Sequence, residues 1–141
     1  MPAENQKHKG LIVGNAKKNA ERNAELKGVS DRVTFRQCDA RRMPFDTGSF
    51  DIAASSFALH QMIYFGKDGY RVLDEIRRIL RPGGWFVNAD AMIGRGMIEY
   101  LGKNGFAELR IDRVVRIGPF AVVKVLSTMK CNEHPIEHYG P

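Results

Sequence analysis

Between residues 50 and 89 the hydrophobic period of the chain changes twice, and that pattern rules out most architectures. The run 50–55 has little polar interruption after Asp51, as a buried parallel strand would. Val72, Leu73, Ile76, Ile79 and Leu80 then recur on one helical face, with Arg71, Asp74, Glu75, Arg77 and Arg78 on the other. Pro82-Gly83-Gly84 is expected to end that helix, and 85–89 to resume as a strand. Downstream, 97–101 reads as a short helix closed near Gly105. Residues 108–117 and 120–128 read as strands joined through Gly118-Pro119 into an antiparallel hairpin. Strands alternating with helices and followed by a hairpin predict an α/β sheet, mostly parallel with an antiparallel edge. All-helical and sandwich folds are excluded.

The N-terminal part is read more thinly. Ala16, Ala20 and Ala24 recur at a spacing of four in a helix over 15–27, with Gly28 as its stop. Val33 and Phe35 alternate with Arg32, Thr34 and Arg36, the pattern of a short half-exposed strand, and Asp39 stands just past its end. Asp46-Thr47-Gly48-Ser49 is turn chemistry. At 141 residues the chain suits one domain, expected over 1–128, with 129–141 as a flexible, charged, proline-containing tail. Cys131, His134 and His138 have a metal-like spacing in that tail. A closed zinc site wants four ligands, however, and Cys38 is the only other thiol, so no metal is expected.

Charge narrows the partners. The net +6 is concentrated in 1–42, where ten Lys and Arg face five Asp and Glu. Such asymmetry suits a nucleic-acid surface or a solvated helix face with a basic tail. No aromatics interleave the basic residues as stacking platforms, which argues against nucleic acid. No apolar run approaches the roughly 20 residues of a membrane span, and two cysteines far apart in sequence fit a reducing cytoplasm.

Four blocks carry a resemblance. Ser30-Asp31-Arg32-Val33-Thr34-Phe35-Arg36-Gln37-Cys38-Asp39-Ala40, Met43-Pro44-Phe45, the segment from Ser49 to His60, and Leu80-Arg81-Pro82-Gly83-Gly84-Trp85-Phe86-Val87 resemble, in order and spacing, the class I S-adenosylmethionine-dependent methyltransferases. The similarity is strongest to the small-molecule type of quinone biosynthesis and extends loosely over 15–129. It implies a Rossmann-like methyltransferase sheet with an antiparallel C-terminal hairpin, S-adenosyl-L-methionine as cofactor and a small-molecule methyl acceptor. The chain also departs from the family. The second strand would fall near 10–13, and the first strand and its glycine-rich loop before Met1, so the resemblance implies an N-terminally truncated domain. The acid that holds the ribose would stand at Leu11, and no Asp or Glu occurs between Glu4 and Glu21. Losing a central strand exposes backbone donors and acceptors on its neighbours, so a homo-oligomer or a complementing chain is expected.

The same resemblance gives candidate residues, each with a plainer alternative. Asp39 stands where the adenine-reading acid stands, with the N–H of Ala40 facing a ring nitrogen; alternatively Asp39 caps a turn into Arg41-Arg42. Ser55, Ser56 and Phe57 stand at the contacts to the methionine part of the donor and the methyl-transfer mouth, or simply satisfy a strand terminus. His60 suits a general base toward the acceptor, or a structural role. Tyr64 and Phe65 suit an apolar acceptor wall or core packing. Three functions compete: a methyltransferase domain, impaired or needing another chain; a non-catalytic methyltransferase-like partner subunit; and a basic nucleic-acid-binding module.

Overall fold

The computed structural model describes residues 16–65, 69–117 and 121–131, which fall into two compact units, Met1–Met43 and Pro44–Pro141. The second unit carries β1 (Phe50–Ser56), α2 (Leu59–Phe65), α3 (Tyr70–Ile79), β2 (Leu80–Asp90), α4 (Arg95–Lys103), β3 (Phe106–Ile117) and β4 (Ala121–Lys130). Its strands form one sheet in the order β1-β2-β4-β3, with β1 parallel to β2 and both other ladders antiparallel. The sheet is therefore mixed rather than mostly parallel among the described residues. The hairpin lies at one edge, as expected, and its turn at 118–120 is outside the described residues.

The periodic positions of α3 are the core. Val72, Leu73, Ile76 and Ile79 are all buried, as is Leu80 directly after them. Burying side chains of this size contributes about 1.5–3 kcal/mol each relative to exposure. The helix ends at Ile79 rather than at Pro82-Gly83-Gly84, because Leu80 already has an extended ψ of 136° and begins β2. The Pro-Gly-Gly segment instead loops out of the sheet ladder. Phe50 pairs with Leu80 and Ile52 with Trp85, so two steps along β1 meet five along β2. Gly83 takes the left-handed φ of +75° that such an excursion needs. Beyond it β2 alternates strictly: Phe86, Asn88 and Asp90 are buried, while Trp85, Val87 and Ala89 are half-buried.

β1 corrects a second expectation. Its apolar composition suggested burial on both faces, yet Ile52 is 62% exposed and Ala54 and Ser56 are also exposed. The strand pairs with β2 on one side, and its other edge pairs with no strand among the described residues.

Three polar ties hold the periphery. Arg78 donates through Nε and Nη2 to Glu75 (2.7 and 2.9 Å) and through Nη1 to the Phe45 carbonyl (2.7 Å), while Gly48 N–H donates to the Arg78 carbonyl. This clamps the turn that launches β1. Tyr100 of α4 donates to Asp74 of α3 at 2.6 Å and stacks on Tyr70 with ring centroids 4.6 Å apart. Burial first, then that hydrogen bond, pushes the Tyr100 hydroxyl up to about 12. The buried Lys130 donates through Nζ to the Leu80 carbonyl at 2.8 Å, and Cys131 N–H donates to the Gly105 carbonyl. β4 thus runs two residues into the segment assigned to a tail, and 132–141, with His134 and His138, lie outside the described residues.

In the first unit α1 (Ala16–Leu26) ends in a Schellman motif: Val29 N–H donates to the Ala24 carbonyl and Gly28 N–H to Glu25, with Gly28 at φ +63°. Ala24 is buried and Ala20 half-buried, so these two positions of the alanine spacing lie on a covered face. Residues 33–39 are neither helix nor strand, against the expected strand over 32–37. A strand needs a ladder partner, and the segment expected beside it, 10–13, lies outside the described residues.

Candidate functional site

The carboxyl end of β1 lies beside the last residues of β2, with Ser56 against Ala89. Ser55 is half-buried, and Ser56 and Phe57 are exposed. Phe57 is in the left-handed region at φ +51°, a conformation bulky residues seldom adopt. Its N–H donates to the Ala89 carbonyl at 2.9 Å, which ties the end of β1 to β2 while turning the chain out of the sheet. The turn leads at once into α2, a helix not expected from the sequence. Its apolar pair Leu59 and Ile63, four residues apart and both buried, was the available signal.

His60 sits in the first turn of α2. Its Nδ1 lies 2.8 Å from Oδ1 and 2.9 Å from Oδ2 of Asp90, the last residue of β2. Asp90 is fully buried and accepts two further bonds, from the N–H of His60 (3.3 Å) and the N–H of Met92 (3.2 Å). One carboxylate therefore organises both the start of α2 and the loop after β2. Tyr64, an exposed residue of α2, strengthens the same junction by accepting from Gly94 N–H at 2.8 Å. A Cβ on Gly94 would meet that hydroxyl, so any other residue there would have to push the exposed Tyr64 side chain aside and break this bond. The side chain of Phe65 lies outside the described residues.

Asp90 and its neighbour on the same strand face, Asn88, were missed by sequence reasoning. The signal was present: two polar residues at strand spacing on the face that buries Phe86. Asn88 is fully buried, and among the described residues neither its Oδ1 nor its Nδ2 has a hydrogen-bond partner.

Asp39 and Ala40 belong to the first unit, in a turn where Arg42 N–H donates to the Asp39 carbonyl. Both oxygens of Asp39 are engaged by Arg41: its backbone N–H at 2.9 Å, Nε at 3.1 and 3.2 Å, and Nη2 at 2.8 Å. Asp39 does cap its turn. Its side chain nonetheless stays 39% exposed, so solvent still reaches the carboxylate.

Among the described residues no group of three or more His, Cys, Asp and Glu is placed to hold a metal ion, and no helix is long and apolar enough to cross a membrane.

Residues 11–88 match the family model described as a methyltransferase domain. The sterol 4-C-methyltransferase of Caenorhabditis elegans is 36% identical over 63 residues, 45% of this chain and 18% of that protein. The demethylmenaquinone methyltransferase of Clavibacter sepedonicus is 42% identical over 57 residues, 40% of this chain and 22% of its own length. The chain thus spans about a fifth of the curated relatives it matches. A crystal structure of a putative methyltransferase from Bacillus halodurans superposes with a TM-score of 0.64 at 17% identity, covering 82% of this chain and 78% of that one.

Proposed function

Because this chain belongs to the methyltransferase domain family, we propose that it forms part of an S-adenosylmethionine-dependent methyltransferase acting on a small-molecule acceptor. The observation that carries this reading is the end of β1. Two small hydroxylated residues and a left-handed Phe57 open outward at the carboxyl end of a parallel strand, where ligands of open α/β sheets bind. When bound, the cofactor supplies an electrophilic methyl group on a sulfonium.

Ser55, Ser56 and the backbone of Phe57 would bind the methionine end of the cofactor. Asp39 would accept from the adenine amino group, its carboxylate taking that donor in place of part of its contact with Arg41. The N–H of Ala40, which donates to no acceptor among the described residues, would meet a ring nitrogen. His60 would take a proton from the acceptor as a general base, an effect worth typically 10²–10⁴ in rate. The ribose acid and glycine-rich loop of the family have no counterpart in the matched part of the sequence, and a preceding segment or a complementing chain would supply them.

The test is calorimetric titration of S-adenosylhomocysteine into the chain, alone and with a fused segment carrying a strand and a glycine-rich loop. Lacking two sets of contacts, the chain alone should bind at least roughly 3–5 kcal/mol more weakly, about two to four powers of ten in Kd. In the completed protein Asp39→Ala should weaken binding by about 1.5–3 kcal/mol, the scale of a charge-assisted hydrogen bond. Tight binding by the chain alone overturns the need for a complementing segment. No binding in either form favours the second reading, a non-catalytic partner subunit. That reading draws on the edge of β1 that pairs with no strand among the described residues, which suits pairing with a strand of another chain, including a second copy of this one.

A further inference from the structure

We propose that Asp90 is a positioning residue that holds His60 as its Nδ1–H tautomer, so that Nε2 is the atom offered to the acceptor. The inference rests on His60 as the base proposed above, but it makes a claim about proton placement that is tested without any reaction.

The argument begins with the anchoring of Asp90. β2 is paired on both sides over its final residues: Ala89 lies against Ser56 and Val125, and Asp90 against Lys124. The Asp90 backbone is therefore fixed by the sheet, and its side chain is fully buried on the face that α2 packs against. Both oxygens already accept from backbone N–H groups, Oδ2 from His60 and Oδ1 from Met92. An ionised carboxylate only accepts, so the Nδ1 lying 2.8–2.9 Å from both oxygens has to carry the hydrogen. A neutral imidazole carries one N–H, and the lone pair then belongs to Nε2. Among the described residues Nε2 has no hydrogen-bond partner, and the His60 side chain retains 18% of its exposure. The reactive nitrogen is the unoccupied one.

A merely structural Asp90 would start α2 and fix the loop after β2 without any need for the imidazole. The shared carboxylate makes the ring orientation follow from the fold: moving Nδ1 away would strand a fully buried charge on two long backbone contacts. Burial amplifies the cost of leaving such a charge partly unpaired.

The test is ¹⁵N–¹H correlation spectroscopy of the histidine rings at a pH of about 9, where an imidazole is neutral, with His60 assigned from His60→Gln. The expected result is a protonated, pyrrole-type Nδ1 and an unprotonated, pyridine-type Nε2. In Asp90→Asn the side chain can also donate, and the His60 population should shift toward the Nε2–H form. A shift of at least tenfold in the tautomer ratio is expected. Asp90→Ala, which removes the acceptor altogether, should give a tautomer mixture if the amide variant does not fold. A wild-type spectrum dominated by Nε2–H overturns the proposal, as does an Asp90→Asn spectrum identical to wild type. In the completed enzyme, kcat falling with the tautomer shift at unchanged KM for the methyl donor supports both readings. A shifted tautomer with unchanged kcat leaves Asp90 as the positioning residue and removes His60 from the chemistry, so the two failures are distinct.

Discussion

Replacing Asn88 by leucine should stabilise this protein, which is an uncommon outcome for a change at a fully buried position. The side chain is 0% exposed, and both of its polar atoms lack partners among the described residues. A buried amide left unsatisfied costs about 1–3 kcal/mol, whereas an apolar group of similar shape carries no such penalty. Leucine repeats the branched four-atom side chain of asparagine with bulkier methyl ends, and the position faces Leu126 across the β2–β4 ladder on the side of the sheet that buries Phe86. The expected gain is therefore about 1–3 kcal/mol. With a urea slope near 2 kcal/mol/M, the unfolding midpoint should rise by about 0.5–1.5 M. Urea unfolding followed by the fluorescence of Trp85, the single tryptophan, reads this directly. Asn88→Ala is the control: it removes the same amide but leaves a void, so it should fall below the leucine variant. A midpoint lowered by more than about 0.5 M at unchanged slope would refute the reasoning and mean that the amide is satisfied, through a bridging buried water.

Two further outcomes follow from separate features. Tyr100, pushed up to about 12 in the folded protein against about 10 unfolded, contributes stability that is present below about pH 10 and lost as the pH rises toward 12. Ultraviolet titration should show one tyrosine ionising late. Tyr100→Phe should abolish that late step and cost about 0.5–1.5 kcal/mol at neutral pH; a late step that survives the substitution assigns it elsewhere. Ile52, 62% exposed on β1, whose outer edge pairs with no strand among the described residues, is the position where a charge should oppose strand pairing between copies. Ile52→Lys should lower the mass measured by light scattering toward that of a monomer, and a wild-type mass already monomeric at high concentration counts against self-pairing.

The parts legible in the sequence are those in which one period runs long enough to be unambiguous. Helix α3 repeats its apolar face through Val72, Leu73, Ile76 and Ile79, and the hairpin repeats a strand pattern on both sides of a short turn. Pro82-Gly83-Gly84 was misassigned because it interrupts helix and strand patterns alike. Only the ladder, with two residues of β1 against five of β2, reveals it as an excursion within the strand region. The burial of β1 was overstated because composition reports the environment a strand suits, while exposure depends on the neighbours it has. His60 was visible as a residue type in a suggestive place. Its partner Asp90 stands thirty residues away, and the contact exists only because β2 runs parallel to β1 and ends beside the first turn of α2. Asp39 illustrates the converse: its capping contacts to Arg41 are local, and turn chemistry anticipates them.

The contact from Lys130 to the Leu80 carbonyl, with Cys131 bound to Gly105, sets a boundary for trimming this chain from its carboxyl end. Leu80 is where α3 becomes β2, so the ammonium group closes a helix exit fifty residues upstream. A chain cut after Cys131 keeps both ties and the whole of β4. One cut after Thr128, where the hydrophobic pattern ends, would remove the buried Lys130 ammonium group from the Leu80 carbonyl at the helix–strand junction. The hydrogen-bonded structure therefore runs past the end of the hydrophobic pattern, carried by the Lys130 ammonium group and the Cys131 N–H.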